Sequence, residues 1–226
     1  MYFSLGDNRR YFSADELYGI ATTSLKGGLS YYCVSETFYG EITSVLRELG
    51  MEEVQFIPST LAQAAYLMSD KKREGYAFLL DVGFMTSSIS VIYGKGIVHE
   101  ETFDFGVGTV LVALMEELDV ELATAEEILS SSNISGGAVP NDLLWTSDFG
   151  NLQFPVRLLN DVIKSSLDNL CEQVDRFFEL HYKDKNTSGL SINPISLTGE
   201  GISAIKGSKE HISKRLSRIT QVVAPE

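Results

Sequence analysis

Short apolar, β-rich runs separated by glycine turns dominate the middle of this chain, and longer stretches with three-to-four-residue spacing lie on either side. Two apolar runs, 77–80 and 88–93, flank a turn that opens at Asp81-Val82-Gly83, which reads as a β-hairpin. Gly94-Lys95-Gly96 leads into a further run, so the segment predicts a meander of 77–82, 87–93 and 96–104. Upstream, residues 29–68 read as β-α-β-α. A strand over 29–34 precedes a helix over 37–49, with Phe38, Ile42, Val45, Leu46 and Leu49 as its inner face and Gly50 as its C-cap. A short strand over 54–57 follows, and Pro58 opens a helix that runs through Leu67. Ahead of these, 14–23 has the spacing of a helix.

Downstream of the meander, Gly106 and Gly108 precede an apolar helix over 110–118. Thr124 with Glu127 three residues on forms a capping box for the next helix. Residues 130–153 are rich in Ser, Asn, Gly and Asp, with strands at most over 143–145 and 152–154. Pro155 starts the longest helix, to about Tyr182, with Leu158, Val162, Leu167, Leu170, Val174, Phe178 and Leu180 facing inward. An exposed loop over 183–188, a strand over 193–198, a helix over 208–217 and a strand over 218–223 complete the pattern. The charged stretch Ser69-Asp-Lys-Lys-Arg-Glu-Gly75 interrupts it and is the expected boundary between two lobes.

With 226 residues, 44% of them hydrophobic, the chain can bury one large core or two smaller ones. Acidic residues outnumber basic ones 31 to 18, for a formal charge of −13. That argues against nucleic acid and anionic membrane as partners of this segment, since both need basic surface. Cys33 and Cys171 lie far apart without metal spacing and read as reduced core or near-core residues of a cytoplasmic protein. His99, His181 and His211 are scattered and receive no catalytic role. No apolar run reaches the roughly 18 residues that span a bilayer, and no signal-peptide pattern opens the chain. Residues 2–7 read as a strand and turn entered midway, so the expectation is a fragment whose Met1 is internal or added.

Three glycine turns carry the candidate chemistry. After Asp81 come Gly83, Thr86, Ser87 and Ser88: a turn able to bring backbone N–H groups to a phosphate, with Asp81 placed to orient Mg²⁺ through water. Plain turn chemistry accounts for the same residues. Gly106, Gly108 and Thr109 open a helix, and a helix N-terminus is an anion site; a structural strand–helix junction needs the same glycines. Near the C-terminus an apolar run ends in Thr198-Gly199-Glu200-Gly201, with Gly207 beyond it. Such a turn lets the backbone approach a flat ligand that a β-carbon would block, or simply supplies positive φ.

In this order the motifs resemble the actin–Hsp70–sugar kinase superfamily. Asp81-Val-Gly-Phe-Met-Thr-Ser-Ser88 looks like its second phosphate loop and Ser196-Leu-Thr-Gly-Glu-Gly-Ile-Ser-Ala-Ile-Lys-Gly207 like its adenosine loop. Within it, the nearest likeness is to the FtsA/PilM branch of bacterial actin-like cell-division and type IV pilus proteins. The resemblance implies an α/β fold of the actin-like ATPase (ribonuclease H-like) type, present in part. Residues 1–52 would be the end of an inserted small α/β domain and 53–74 a crossing strand and helix. Residues 75–226 would be the second nucleotide-binding lobe, with a small subdomain at about 110–154.

It further implies that ATP and Mg²⁺ are bound, with Asp81, Gly83, Thr86, Gly106 and Gly108 at the metal and phosphates. Glu126 would lie at the ribose, and Thr198, Gly199, Glu200 and Gly201 at the adenine. Trp145 would lie in a lobe that neighbours the site where FtsA-like proteins hold the C-terminal tail of the tubulin-like FtsZ; a variable insertion with no partner accounts for the same lobe. Self-association into filaments follows from the same resemblance, and membrane contact would come only through segments outside this chain.

Several positions depart from the family's pattern. Phe84 and Met85 replace small glycines, Ser88 an acidic residue, and Leu129 a lysine. Ile57 stands where a carboxylate or amide before the proline orients the attacking water, and an aliphatic side chain cannot do that work. Help of this general-base kind is worth about 10²–10⁴ in rate, so inefficient or absent ATP hydrolysis is expected. A PilM-like interaction module with a degenerate nucleotide site is one alternative. A small-molecule kinase of the same superfamily is another, although no aspartate sits on a turn that suggests its base.

Overall fold

A computed structural model of the chain describes residues 2–6, 12, 14–73, 75–136, 139–148, 150–182 and 193–223. These fall into two compact units: residues 1–75 with 92–98, and residues 76–91 with 99–226. The expected loop over 183–188 lies outside the described residues.

In the first unit, β1 (Tyr2–Leu5) pairs antiparallel with β2 (Leu25–Gly28). The strand expected over 29–34 is not formed, and a helix (α1) occupies only Ala14–Leu17 of 14–23. Pairing with β1 uses the residues just before 29, and the following segment is tied instead by side chains. Ser30 Oγ donates to the Ile97 carbonyl at 2.7 Å, and the Ile97 N–H donates to Tyr32 Oη at 3.3 Å. Helix α2 (Glu36–Glu48) starts on a Ser35 cap whose hydroxyl accepts from the Phe38 N–H. The stripe expected to face inward is exposed at Phe38, Ile42, Val45 and Leu49; Thr43 is the residue it buries.

The strand expected over 54–57 is also absent. Four residues need a neighbouring strand to become one, and Phe56 instead packs against the rings of Phe38 and Tyr39, 6.3 and 5.0 Å away. Helix α3 (Ser59–Leu67) follows Pro58 as expected. The charged stretch contains a short helix α4 (Asp70–Arg73) and a buried guanidinium. Arg73 donates to the carbonyls of Met68 (3.2 Å) and Gly94 (3.3 Å) and pairs with Asp70. A buried cation satisfied on all sides fixes the chain here, where the sequence pattern shows only polarity.

The second unit is built on a five-stranded sheet in the order β5-β4-β3-β8-β9. The meander is formed as the pattern requires: β3 (Tyr76–Val82), β4 (Ser87–Tyr93) and β5 (Gly96–Phe103). β8 (Ile195–Thr198) lies parallel to β3, and β9 (Thr220–Val222) parallel to β8. Phe78, Leu80 and Val82 alternate onto one face of β3 and join a single large core. Helices α5 (Val107–Leu118), α6 (Leu122–Ser131), α7 (Val156–Tyr182) and α9 (Ser208–Arg215) supply the rest of that core, with the short α8 (Glu200–Ala204) after β8. A two-stranded hairpin, β6 (Leu144–Thr146) with β7 (Gln153–Pro155), precedes α7.

Three details differ from the sequence pattern. Helix α5 begins three residues before 110, because Gly106 is held extended against the β3–β4 turn. Helix α6 begins before Thr124, whose N–H donates to the Glu121 carbonyl at 3.1 Å. Glu127 does not close a capping box; its carboxylate accepts from the Asp148 N–H at 2.7 Å. Helix α7 buries Leu159, Ile163, Leu167, Leu170, Cys171, Val174, Phe177 and Phe178, so Leu158 and Leu180 point outward. No described helix is long and apolar enough to cross a membrane.

Candidate functional site

Asp81, near the end of β3, lies directly opposite Thr198, the last residue of β8. The carboxyl ends of parallel strands are where open α/β sheets bind ligands. Three turns converge there. Gly199 has φ +98°, and a β-carbon on it would lie 2.3 Å from the Val82 carbonyl oxygen and 2.4 Å from Asp81 Oδ1. On Gly201 it would meet Val82 Cγ1 at 2.4 Å, and on Gly106 the Phe84 carbonyl oxygen at 2.2 Å. The glycines therefore let residues 82–86, 105–108 and 198–201 approach one another closely. Ser87, one of the hydroxylic residues of the candidate phosphate turn, turns inward and locks the arrangement: its buried hydroxyl donates to the Phe105 carbonyl at 2.7 Å.

The N-terminus of α5 is already occupied. Its first N–H groups, on Val107 and Gly108, donate to the carbonyls of Gly83 (3.1 Å) and Phe84 (2.8 Å), and Thr109 N–H to Gly106 (3.1 Å). The donors that make a helix start an anion site are thus engaged by the neighbouring turn. What faces outward is the β3–β4 turn itself. The N–H groups of Phe84 and Met85 have no partner among the described residues, and Thr86 is exposed beside them. The large side chains of Phe84 and Met85 lie over Gly108, with atoms 3.4 and 3.7 Å from its β-carbon position. The donor set of two N–H groups, the Thr86 and Thr198 hydroxyls and the Asp81 carboxylate suits a phosphate and a hard cation. It does so through the turn and not through α5.

A cleft of about 610 Å³ opens beside the 198–201 turn, lined by Thr198, Gly199, Glu200, Ser203 and Val222 among others. Its size is in the range of small-ligand pockets. The chain then docks on the end of α6: Ile134 N–H donates to the Lys206 carbonyl at 2.9 Å, and Lys206 Nζ to the Ser130 carbonyl at 2.6 Å. Gly207, with φ +91°, fits because it has no β-carbon, which would meet the Ser135 nitrogen at 2.2 Å. Glu126 is an exposed residue of that same helix, one turn before Ser130, while Leu129 is buried in the core. Trp145 stacks on Phe154 and donates its indole N–H to Ser131 Oγ at 2.9 Å. It lines a second cleft, of about 410 Å³.

Ile57 is 59% exposed. Burial pushes the Cys171 thiol up to about 12, with Asp168 adding to the rise; Cys33 is exposed, contrary to the expectation that it belongs to a core. Burial also raises Asp175 and lowers Arg218, whose guanidinium lies 3.9 Å over the Phe178 ring. The sequence left His99, Glu101 and His181 unconnected, yet they meet at the outer edge of the sheet.

No protein-family model matches the chain, and no curated protein matches it. Solved structures do. MreB 5 of Spiroplasma citri bound to AMPPNP is similar with a TM-score of 0.64 at 14% identity, over 84% of this chain and 60% of that one. A PilM–PilN type IV pilus biogenesis complex gives 0.59 at 16%, over 83% and 47%. The ethanolamine utilization protein EutJ from Carboxydothermus hydrogenoformans gives 0.55 at 17%, over 79% and 54%. The fold is therefore that of the actin-like ATPases. The chain spans 47–60% of the length of these structures.

Proposed function

We propose that this chain belongs to an actin-like assembly protein that holds ATP and Mg²⁺ as a structural ligand and does not turn them over efficiently. The observation that carries this reading is the pairing of Asp81 with Thr198 at the strand ends, with Gly199 folded directly onto the Asp81 carboxylate. Asp81 would hold the cation through water. The Phe84 and Met85 N–H groups and the Thr86 hydroxyl would take the phosphates, and Thr198–Gly201 with Glu126 would take the nucleoside. When bound, the cation neutralises phosphate charge beside a chain that is itself strongly acidic.

Ile57 supports the absence of turnover, because an exposed aliphatic side chain can neither orient nor deprotonate a water. In this reading nucleotide orders the protein for filament contacts. The output is a partner surface that includes Trp145, with the tubulin-like FtsZ of the division ring as the partner that the FtsA-like motifs suggest.

A second reading, a PilM-like module whose nucleotide site has degenerated, is favoured by one observation: Phe84 and Met85 lie over Gly108, where a phosphate cradle needs open backbone. A kinase reading lacks a candidate base. Displacement of a fluorescent ATP analogue separates the first two. Binding that Asp81→Ala weakens at least about tenfold (about 1.4 kcal/mol) supports the nucleotide site. Equal binding by the wild type and the variant, or none, overturns it in favour of the degenerate module.

A further inference from the structure

We infer that His99, Glu101 and His181 form a binding site for a transition-metal dication of the zinc class. His99 and Glu101 are two residues apart on β5, the edge strand, so strand alternation puts both side chains on one face. Glu100, between them, points the other way and is exposed. His181 reaches the same place from the last turn of α7. One nitrogen or oxygen from each side chain lies within 4.8 Å of the other two. His181 Nε2 and Glu101 Oε2 are 3.5 Å apart. A tetrahedral ion with bonds of about 2.0–2.1 Å sets its ligands roughly 3.3–3.4 Å apart, so this pair already has the required spacing.

The rings are held from behind. His99 packs against Phe177, with centroids 5.0 Å apart, and meets His181 edge-on at 4.1 Å; Phe177 also backs His181 at 5.3 Å. A rigid aromatic wall behind ligand rings limits the reorganisation that binding requires. The Glu101 and His181 side chains are 41% and 38% exposed, so an ion has access from solvent. Two imidazoles and one carboxylate select zinc, or a neighbouring first-row dication, over magnesium or calcium, and three protein ligands leave one position for water. The ion would pin the end of α7 to the edge strand.

The test uses the tag-free chain and Zn²⁺ alone, by calorimetry and thermal melting, with Co²⁺ as an optical reporter. One equivalent of Zn²⁺ binds with a micromolar dissociation constant and raises the melting temperature, and Co²⁺ gives the intense visible bands of a four-coordinate site. Glu101→Gln and His181→Asn, both at accessible positions, each weaken binding by more than the roughly 10–100-fold that loss of an outer-shell partner costs. His211→Asn, at a histidine paired elsewhere with Asp168 (2.9 Å), leaves it unchanged. No binding at millimolar Zn²⁺, or binding that neither Glu101→Gln nor His181→Asn alters, overturns the proposal.

Discussion

At Gly199 a left-handed backbone, a carboxylate and the neighbouring strand all compete for the space of one methyl group. Gly199→Ala is expected to lower unfolding free energy by roughly 2–4 kcal/mol, from backbone strain and overpacking together. Gly40, inside α2 with open space where its β-carbon would be, behaves oppositely. Gly40→Ala should stabilise the chain by about 0.5–1 kcal/mol. Urea unfolding of both variants checks the pair. Cys171 and Cys33 give a second contrast. The buried thiol stays protonated and shielded, so a maleimide should label the native chain at Cys33 alone and reach Cys171 only in denaturant. Because folding raises the Cys171 pKa from 9.0 to about 12, its contribution to stability is whole below pH 9 and is lost as pH climbs toward 12. Cys171→Ala should flatten that alkaline loss. The sequence showed the glycines, but not what they serve. A Gly-x-Gly turn looks the same in sequence whether a ligand or the protein itself comes close to it, and the structure shows protein atoms 2.2–2.4 Å from the β-carbon positions of Gly106, Gly199 and Gly201.

Elements that carry their own periodicity were legible: the β3–β5 meander, α2, α3, α7 and the two short strands around 145 and 154. Those that depend on a distant partner were not. Residues 29–34 and 54–57 have strand composition but find no ladder, whereas β2, with two glycines, pairs because β1 lies opposite it. The inner face of α7 was off by a residue at both ends, because Leu158 and Leu180 have the right chemistry on the wrong side of a helix. Leu170→Ala should therefore cost about 2–5 kcal/mol and Leu180→Ala under about 0.5, measured by chemical denaturation. Side-chain ties such as Arg73 to Gly94, or His99 and Glu101 to His181, cross elements and leave no local trace in sequence.

For the molecule as a whole, the order of glycine turns along the chain pointed to the actin-like fold, and similarity to solved actin-like structures bears it out. The proposed function separates binding from turnover: the phosphates would be held by the β3–β4 turn, whose Phe84 and Met85 N–H groups have no partner among the described residues, and turnover would fail for want of a polar side chain at position 57. Calorimetric titration of Mg-ATP into the chain, with phosphate release followed on the same sample, tests this division most directly. The account predicts micromolar binding and no Mg²⁺-dependent phosphate release above the protein-free rate. Sustained release, or no heat of binding at millimolar ATP, would contradict it.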